Sequence, residues 1–346
     1  MWIPLRYFFR QLAYSSLSKR RILFLGTDEF SLASLKAIQE HVQYKDLEVT
    51  YADSNRSRHP IRDYAKQAGL KTHIWPCSYI QKNEFDLGVV ASFGHLLPKT
   101  FIAKFPCGII NVHGSLLPRW RGASPVVYAI LNGDKESGVT IMNVEPHRFD
   151  QGRMLANERC TIGPDMTSKE LLCSLAIIGG NLVVKVLNDY AHYKANAQIQ
   201  TQCDATKAPV IKSKDIFFID WPNKTSQEIY NQWRALNDIG RLLSIGKNRR
   251  KEDIIIKFSK NRPLILNDSQ IPLQWIPWAA KDLSLVQPGA ALYLQSINSI
   301  AIKAKEDWIS FSELHIGKKG LTPRDFFNGY LNQHKYPFYF KSLIMK

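Results

Sequence analysis

The readable pattern begins at Arg21. Residues 21–25, RILFL, are apolar almost without a break, Gly26 follows, and then Phe30, Leu32, Leu35, Ile38 and Val42 recur at helical spacing. A buried strand, a glycine turn and an amphipathic helix start an α/β unit. Further apolar runs predict strands at Leu47–Tyr51, Leu87–Ser92, Gly108–Val112 and Val139–Val144, with helices between them at Ile61–Ala68 and Pro125–Leu131. Strands alternating with helices predict a mostly parallel sheet covered on both faces. A long helix is expected over Ser168–Tyr190. Thr167 and Glu170 have capping-box spacing at its start, and Gly179–Gly180 should weaken its middle.

The pattern changes at 191–214, AHYKANAQIQTQCDATKAPVIKSK, which is polar, poorly periodic and reads as an interdomain linker. Beyond it, Thr225–Leu236 predicts a helix whose Thr225 and Glu228 again have capping-box spacing. Short β-rich runs follow at Ile254–Phe258, Ala290–Gln295, Ser299–Ala304 and Trp308–Ser312, as in a small barrel or sandwich. The organisation expected is a leader at 1–20, a first domain at 21–190, a linker at 191–214 and a second domain at 215–346.

Composition adds an electrostatic asymmetry. The 346 residues are 45% hydrophobic and carry a formal charge of +16. Residues 1–20 account for +4, residues 21–210 for +3 and residues 211–346 for +9. An excess in the last third favours an anionic partner such as nucleic acid. No apolar run of about 18 residues is free of charge, so no membrane span is expected. The five cysteines contain no C-x-x-C pair, which argues against a disulfide framework and a zinc site and fits a reducing compartment. The leader MWIPLRYFFRQLAYSSLSKR holds Arg6, Arg10, Lys19 and Arg20, no acid, and Leu5, Phe9 and Leu12 on one potential helix face. That is the composition of a mitochondrial presequence, although a plain basic tail shares it.

The candidate chemistry sits in two segments. The turn GTDEFS at Gly26–Ser31 lacks G-x-G-x-x-G, so a dinucleotide site is poorly supported. The amides at that helix start remain open to an anion, beside the simpler reading of a tight βα turn. In IINVHGSLLPRWRGASPVVYAILNGD, Asn111 and His113 are two apart at the end of a predicted strand and project to one side. Open α/β sheets bind ligands at that carboxyl end. In VTIMNVEPHRFDQGRML, a strand runs into a loop holding Asp150 and Gly152. An aspartate before glycine is an ordinary turn residue. It gains meaning only if it meets His113, whose ring it could orient.

These segments together resemble the 10-formyltetrahydrofolate-dependent formyltransferase family. The likeness rests on N-x-H-x-S-L-L-P-R-W-R-G-A at Asn111–Ala123, on GDKESGVTIM at Gly133–Met142 and on the aspartate loop. It continues through KAPVIKSKD at Lys207–Asp215, IDW at Ile219–Trp221, RALN at Arg234–Asn237 and GKKGLTPRDFFNGY at Gly317–Tyr330. It is nearest the mitochondrial branch that acts on methionyl-tRNA. The resemblance implies a Rossmann-like N-terminal formyltransferase domain and a small C-terminal β-barrel of OB-like type that binds tRNA. It implies catalysis by Asn111, His113 and Asp150, with Asp150 holding the His113 tautomer. It implies 10-formyltetrahydrofolate as co-substrate, without a metal. Ser92, Phe93, Gly94, Leu97, Ser115, Leu116, Leu117, Pro118 and Val144 would form the folate pocket, although Phe93, Leu97 and Val144 are equally suited to core. The partner would be initiator methionyl-tRNA, with no membrane, the protein a monomer in the mitochondrial matrix.

Two departures qualify the likeness. The family's L-D-T-G reads Phe149-Asp150-Gln151-Gly152 here, and the long basic loop of bacterial relatives is reduced to DSNRSRHPIRDY. Arg56, Arg58 and Arg62 in that stretch are candidate phosphate contacts or merely solvated charges. The dense run Lys247, Arg249, Arg250 and Lys251, with Lys318 and Lys319, is a candidate RNA-binding surface. Trp275 and Trp278 suit base stacking or core equally. Two other functions share the motifs: formyl transfer to a small amine, and an inactive RNA-binding relative. Retention of the Asn, His and Asp set speaks against the latter.

Overall fold

The computed structural model describes residues 20–52, 59–146, 148–248, 250–272, 286–332 and 338–343. The expected leader, Arg20 apart, lies outside the described residues, as do Arg56, Arg58, Arg249, Trp275 and Trp278. The chain divides into two compact units. The first comprises Met1–Ala129, Lys135–Pro164 and Lys169–Val210; the second comprises Ile130–Asp134, Asp165–Ser168 and Ile211–Lys346.

In the first unit the strands are β1 (Arg21–Gly26), β2 (Asp46–Ala52), β3 (Thr72–Trp75), β4 (Leu87–Ala91), β5 (Ile109–His113), β6 (Glu136–Asn143) and β7 (Met154–Thr161). They form one sheet in the order β3-β2-β1-β4-β5-β6-β7. The first five of that order run parallel, and β6 and β7 are antiparallel additions. The helices are α1 (Glu29–His41), α2 (Pro60–Gln67), α3 (Lys99–Ile102), α4 (Pro125–Leu131), α5 (Ser168–Asn188) and α6 (Tyr190–Ala195). The strand order reverses between β1 and β4, which makes their carboxyl ends the crevice where such sheets take ligands. The turns after β1 and β4 are joined there, because the Thr27 hydroxyl donates to the Ser92 carbonyl.

β1, β4 and β5 are buried nearly throughout, which is why their apolar runs predict them correctly. Two strands depart from the prediction. β3 is four residues long, and β7 is buried only at Leu155, so neither carries the expected pattern. α5 runs unbroken through Gly179 and Gly180, whose missing side chains let it lie close to Val112 and to Ala33. By length and composition α5 is apolar enough to cross a membrane, but half of its apolar window is buried, including Leu171, Leu175, Val183 and Val186. It is the core helix of a sheet.

The second unit adds α7 (Ser226–Leu236), β8 (Leu243–Lys247), β9 (Asp253–Phe258), β10 (Leu264–Leu266), β11 (Ala291–Leu294), β12 (Ser299–Lys303), β13 (Trp308–Phe311), β14 (Leu314–Ile316), β15 (Lys319–Leu321) and α8 (Pro323–Phe326). The expected capping box is present: Thr225 accepts from the Glu228 amide, and the Glu228 carboxylate accepts from the Thr225 amide. The strands make two antiparallel sheets, β10-β13-β12-β11 and β15-β14-β9-β8. Residues 338–341 join them: Phe340 N donates to Gly289 O at 2.8 Å, and Lys341 N donates to Ile245 O at 2.7 Å. The short runs of the sequence thus become a nearly continuous antiparallel surface.

Its interior is aromatic. Phe258 lies 4.2 Å from Phe311, 5.4 Å from Phe340 and 6.0 Å from Trp221 between ring centres. The Trp221 indole donates to Ser244 Oγ at 2.9 Å, which satisfies its buried N–H. Arg234, 2% exposed, donates to Asn231 Oδ1 at 3.0 Å and to Met166 O at 3.0 Å. Its neighbour Tyr230 donates to Asp165 Oδ1 at 2.7 Å, and burial with that carboxylate pushes the phenol up to about 12. Truncating Phe258 to alanine should therefore remove about 3–5 kcal/mol of stability. A urea unfolding curve reads the loss, and an unchanged midpoint would contradict this account of the core.

Candidate active site

β5 carries Asn111 and His113 on one face because side chains alternate along a strand. Its antiparallel neighbour β6 pairs Met142 with Asn111 and Thr140 with His113. Thr140 fixes the loop that follows β5: its hydroxyl donates to Ser115 O at 2.7 Å and accepts from Leu117 N at 3.1 Å. The Ser115 hydroxyl donates to Arg119 O at 2.7 Å. The loop then turns through Trp120, which has φ +62°, and this aims the Trp120 carbonyl at His113 Nε2, 2.9 Å away.

β6 leads into the aspartate loop. Asp150 adopts φ +50°, a region open to Asn and Asp more than to other side chains. Its Oδ1 accepts from Asn111 Nδ2 at 3.3 Å and lies 3.7 Å from His113 Nδ1. Its Oδ2 accepts from Gly122 N at 2.9 Å. The sequence-distant carboxylate therefore meets both strand residues. His113 is 6% exposed and Asn111 is half-buried, so the three groups stand at the edge of the interior.

This geometry corrects one expectation. A carbonyl can only accept, so the Trp120 oxygen requires a proton on His113 Nε2. The tautomer is set by Trp120 through Nε2. Asp150, at 3.7 Å from Nδ1, is beyond ordinary hydrogen-bond length. In the neutral ring, Nδ1 keeps its lone pair and faces the carboxylate.

Two glycines make the arrangement possible. A Cβ on Gly152 would stand 1.8 Å from Asn143 O, so the loop can close on β6 only without a side chain there. Gly122 has φ +124°, and a Cβ would stand 2.5 Å from Ala208 O. Ala208 belongs to the segment expected to be an interdomain linker. That expectation is corrected: Arg121 N donates to Thr206 O at 2.9 Å and Ala208 N to Arg121 O at 2.7 Å. Gln198 and Met154 exchange a pair of amide bonds at 2.8 Å. The stretch is therefore bonded to the 121–122 turn and to β7, and it belongs to the first unit as far as Val210.

Gln200 is the principal residue that sequence reasoning missed. It is 4% exposed and donates to Asp150 O at 3.0 Å and Gly152 O at 2.8 Å. Its Oε1 accepts from Arg121 Nε at 2.9 Å and from a second Arg121 nitrogen at 2.8 Å. Burial lowers the Arg121 pKa, and the Asp150 charge opposes that shift. A polar residue in a poorly periodic stretch carried no signal of these partners.

The other expected residues fall into place unevenly. Phe93 and Leu97 are buried in one cluster with Leu23, Leu25 and Val90, and Val144 packs against it. Phe93 stacks edge-on against Trp75 at 5.4 Å. Ser92 and Gly94 are exposed at the crevice with φ +43° and +76°. Leu117 is buried, and Leu116 and Pro118 are half-buried. The start of α1 offers no free anion site, which corrects that reading. Asp28 caps it, accepting from Ser31 N at 3.0 Å, and Ser31 Oγ accepts from the Thr27 and Asp28 amides at 3.0 Å each. Burial raises the Asp28 carboxyl, and bonds from Ser31 and Ser92 hold it back. Among the described residues no three His, Cys, Asp or Glu side chains gather as a metal centre needs, and all five cysteines are free.

The basic residues of the second unit are brought together from two places in the chain. β9 pairs antiparallel with β14, so residues 250–252 and the turn at 317–318 project from the same end of one sheet. Between them lies a cleft of about 640 Å³ lined by Arg250, Lys319, Tyr330, Glu252 and Asp325 among others. Both carboxylates are engaged locally: Glu252 accepts from Asn248 Nδ2 at 2.7 Å, and Asp325 from Thr322 Oγ1 at 2.7 Å. Lys247 pairs with Asp253 at 2.8 Å across the hairpin, while Lys251 and Lys318 are exposed. In the first unit Arg62 pairs with its neighbour Asp63 at 2.9 Å, so its charge is partly neutralised.

Comparison with known proteins matches two family models, Formyl transferase over residues 64–187 and Formyl transferase, C-terminal domain, over residues 212–331. The chain is 36% identical over 319 residues to the mitochondrial methionyl-tRNA formyltransferase of Bos taurus, covering 90% of this chain and 78% of that protein. It is 35% identical over 320 residues to the Homo sapiens protein of the same name, again covering 90% and 78%. Among solved structures, the N-formyltransferase from Helicobacter canadensis, in complex with folinic acid and dTDP-3-aminofucose, shares the fold at a TM-score of 0.59 and 18% identity. That match covers 84% of this chain and 98% of the other.

The site geometry makes a stability prediction. Gly122→Ala places a side chain at a φ that costs about 1–3 kcal/mol, before the contact with Ala208 O is counted. Denaturant unfolding should register at least that loss. A variant as stable as the parent would show that the 120–122 turn is not held as described.

Proposed function

Because the chain belongs to the formyl transferase family, we propose that it moves a formyl group from a folate donor onto the amino group of methionyl-tRNA. The observation that carries the chemistry is the meeting of Asn111, His113 and Asp150 at the carboxyl end of β5. The relatives named as mitochondrial methionyl-tRNA formyltransferases support the acceptor and the mitochondrial setting. In the finer reading, the donor is 10-formyltetrahydrofolate, the acceptor is the initiator tRNA, and the protein acts as a monomer in the matrix.

The reaction forms an N–C bond between the acceptor amine and the formyl carbon and breaks the bond from that carbon to the donor nitrogen. The amine sheds a proton as it attacks. His113 Nδ1 takes it, because the Trp120 carbonyl keeps the ring proton on Nε2. The imidazolium so formed has the Asp150 carboxylate 3.7 Å away, which stabilises it. His113 then returns the proton to the leaving nitrogen. The tetrahedral intermediate carries an oxyanion. One hydrogen of the Asn111 amide is on Asp150, which leaves the other for that oxygen. Ser92, Phe93, Gly94, Leu97, the 115–118 loop and Val144 form the pterin pocket, the buried members as its apolar floor. The catalytic domain is residues 21–190 with the 198–208 segment added, and residues 215–346 bind tRNA.

Purified protein given labelled formyl donor and charged initiator tRNA tests the activity. Label should appear on the aminoacyl-tRNA. Label on a small amine alone, or RNA binding without transfer, would overturn the reading. Within the same assay Asn111→Ala should lower kcat by about 10²–10³, or about 2.7–4 kcal/mol, the usual cost of one oxyanion donor. His113→Ala should abolish transfer while tRNA affinity is retained.

Arg250 and Lys319, on the two walls of the cleft, are phosphate contacts in this reading. Arg250→Glu with Lys319→Glu should weaken tRNA binding and reduce the slope of log affinity against log salt by roughly 2. An unchanged slope would remove the cleft from the interface.

A further inference from the structure

Asp150 needs external support to hold its position. Its φ of +50° is an uncommon one, and its loop crosses β6 so closely that Gly152 has no room for a side chain. A loop under that constraint stays in one arrangement only where its surroundings over-determine it. The side chain that does so comes from neither catalytic segment. Gln200 uses all of its polar capacity here: both amide hydrogens go to the loop carbonyls, Asp150 O at 3.0 Å and Gly152 O at 2.8 Å. Its oxygen takes the Arg121 fork at 2.8 and 2.9 Å. A further contact runs from Nε2 to Met142 Sδ at 3.8 Å.

The partners settle which way the amide faces. Arg121 can only donate, so Oε1 must face it; the two carbonyls can only accept, so Nε2 must face them. The bonds also close a ring. Arg121 grips Gln200, Gln200 grips the Asp150 backbone, and the Asp150 carboxylate returns to Gly122, the residue after Arg121. Displacing any member moves Oδ1 relative to His113 and Asn111. The backbone around Gln200 is itself fixed, by the bonds of Gln198 to Met154 and of Thr206 and Ala208 to Arg121.

Resting on the formyl-transfer reading, we infer that Gln200 is a positioning residue for Asp150: its amide sets where the carboxylate stands beside the reacting amine. It is 4% exposed and acts on the chemistry indirectly. Its contribution is to kcat, through Asp150.

Two variants of the full chain separate this from general support of the fold. Gln200→Met keeps the length and removes every polar bond. Gln200→Glu keeps the acceptor for Arg121 and turns an oxygen towards two carbonyl oxygens. Both should lower kcat between about tenfold and a hundredfold, the scale set by an ångström of misplacement. KM for the folate donor and for methionyl-tRNA should stay within about twofold, since uniform binding is untouched. The deciding measurement is a double-mutant cycle with Asp150→Ala. In that background Gln200→Met should cost less than about twofold, because residues acting as a unit are non-additive. Equal cost in both backgrounds, or wild-type kcat in Gln200→Glu, would overturn the assignment. If Gln200→Met does not fold, Gln200→Glu carries the same cycle. Failure of the functional reading looks different: the parent protein itself would not transfer formyl to methionyl-tRNA.

Discussion

The site depends on one carboxylate being held at the end of a strand that lies 37 residues earlier in the chain. Asp150 reaches Asn111 and His113 because its loop folds back over β6 in a left-handed conformation. Such a conformation costs about 1–3 kcal/mol on its own. Three hydrogen bonds oppose that cost: Gly122 to Oδ2, Asn111 to Oδ1 and Gln200 to the carbonyl. At about 0.5–1.5 kcal/mol net for each, they offset the strain with little to spare. The site is therefore held by a small set of specific bonds rather than by bulk packing, and each contributing residue is individually visible.

The sheet supplies the frame for that contact. Its order reverses between β1 and β4, and β5 stands next to β4, so Asn111 and His113 end beside the crevice that the reversal opens. A purely parallel sheet would send the chain away through a crossover helix after β5. Here β6 returns antiparallel beside β5, and the loop that follows it comes back to the β5 edge. Thr140 on β6 then serves both sides, since its hydroxyl holds the 115–117 turn while its strand leads to Asp150. The turn carries the Trp120 carbonyl to His113, so one strand pairing orders both the imidazole and the carboxylate beside it.

Much of this was legible in the chain. The buried strands β1, β4 and β5 announced themselves as apolar runs, and the α7 capping box was readable from Thr225 and Glu228. The spacing of Asn111 and His113 put them on one side of a strand end, but only the family resemblance marked them as a candidate pair. What failed to show had no local cause. β3 keeps one buried residue, His73, whose partner Glu48 comes from β2. β7 is an exposed edge strand defined by its pairing with β6 and not by a hydrophobic face. The 198–208 stretch looked like a linker because its residues are polar, yet its backbone and the side chains of Gln200, Gln202 and Thr206 bond it to the site loops. The partner that fixes the His113 tautomer was not legible for a related reason: backbone carbonyls carry no residue label, and the one at Trp120 has no signature in the sequence.

The second unit shows a different division between sequence and fold. Its charge was plain from composition, but charge alone does not say which cations act together. Lys247 is paired with Asp253, and Arg62 in the first unit with Asp63, so neither offers a full free charge. Arg250 and Lys319 are almost seventy residues apart, and the β9–β14 pairing puts them on one cleft. The carboxylates that share the cleft are engaged by Asn248 and Thr322. Exposed charges are screened within about a Debye length of 8–10 Å. Only cations brought that close by the fold add to one local field. The sheet register, rather than the net charge of the domain, therefore decides which basic residues form a surface.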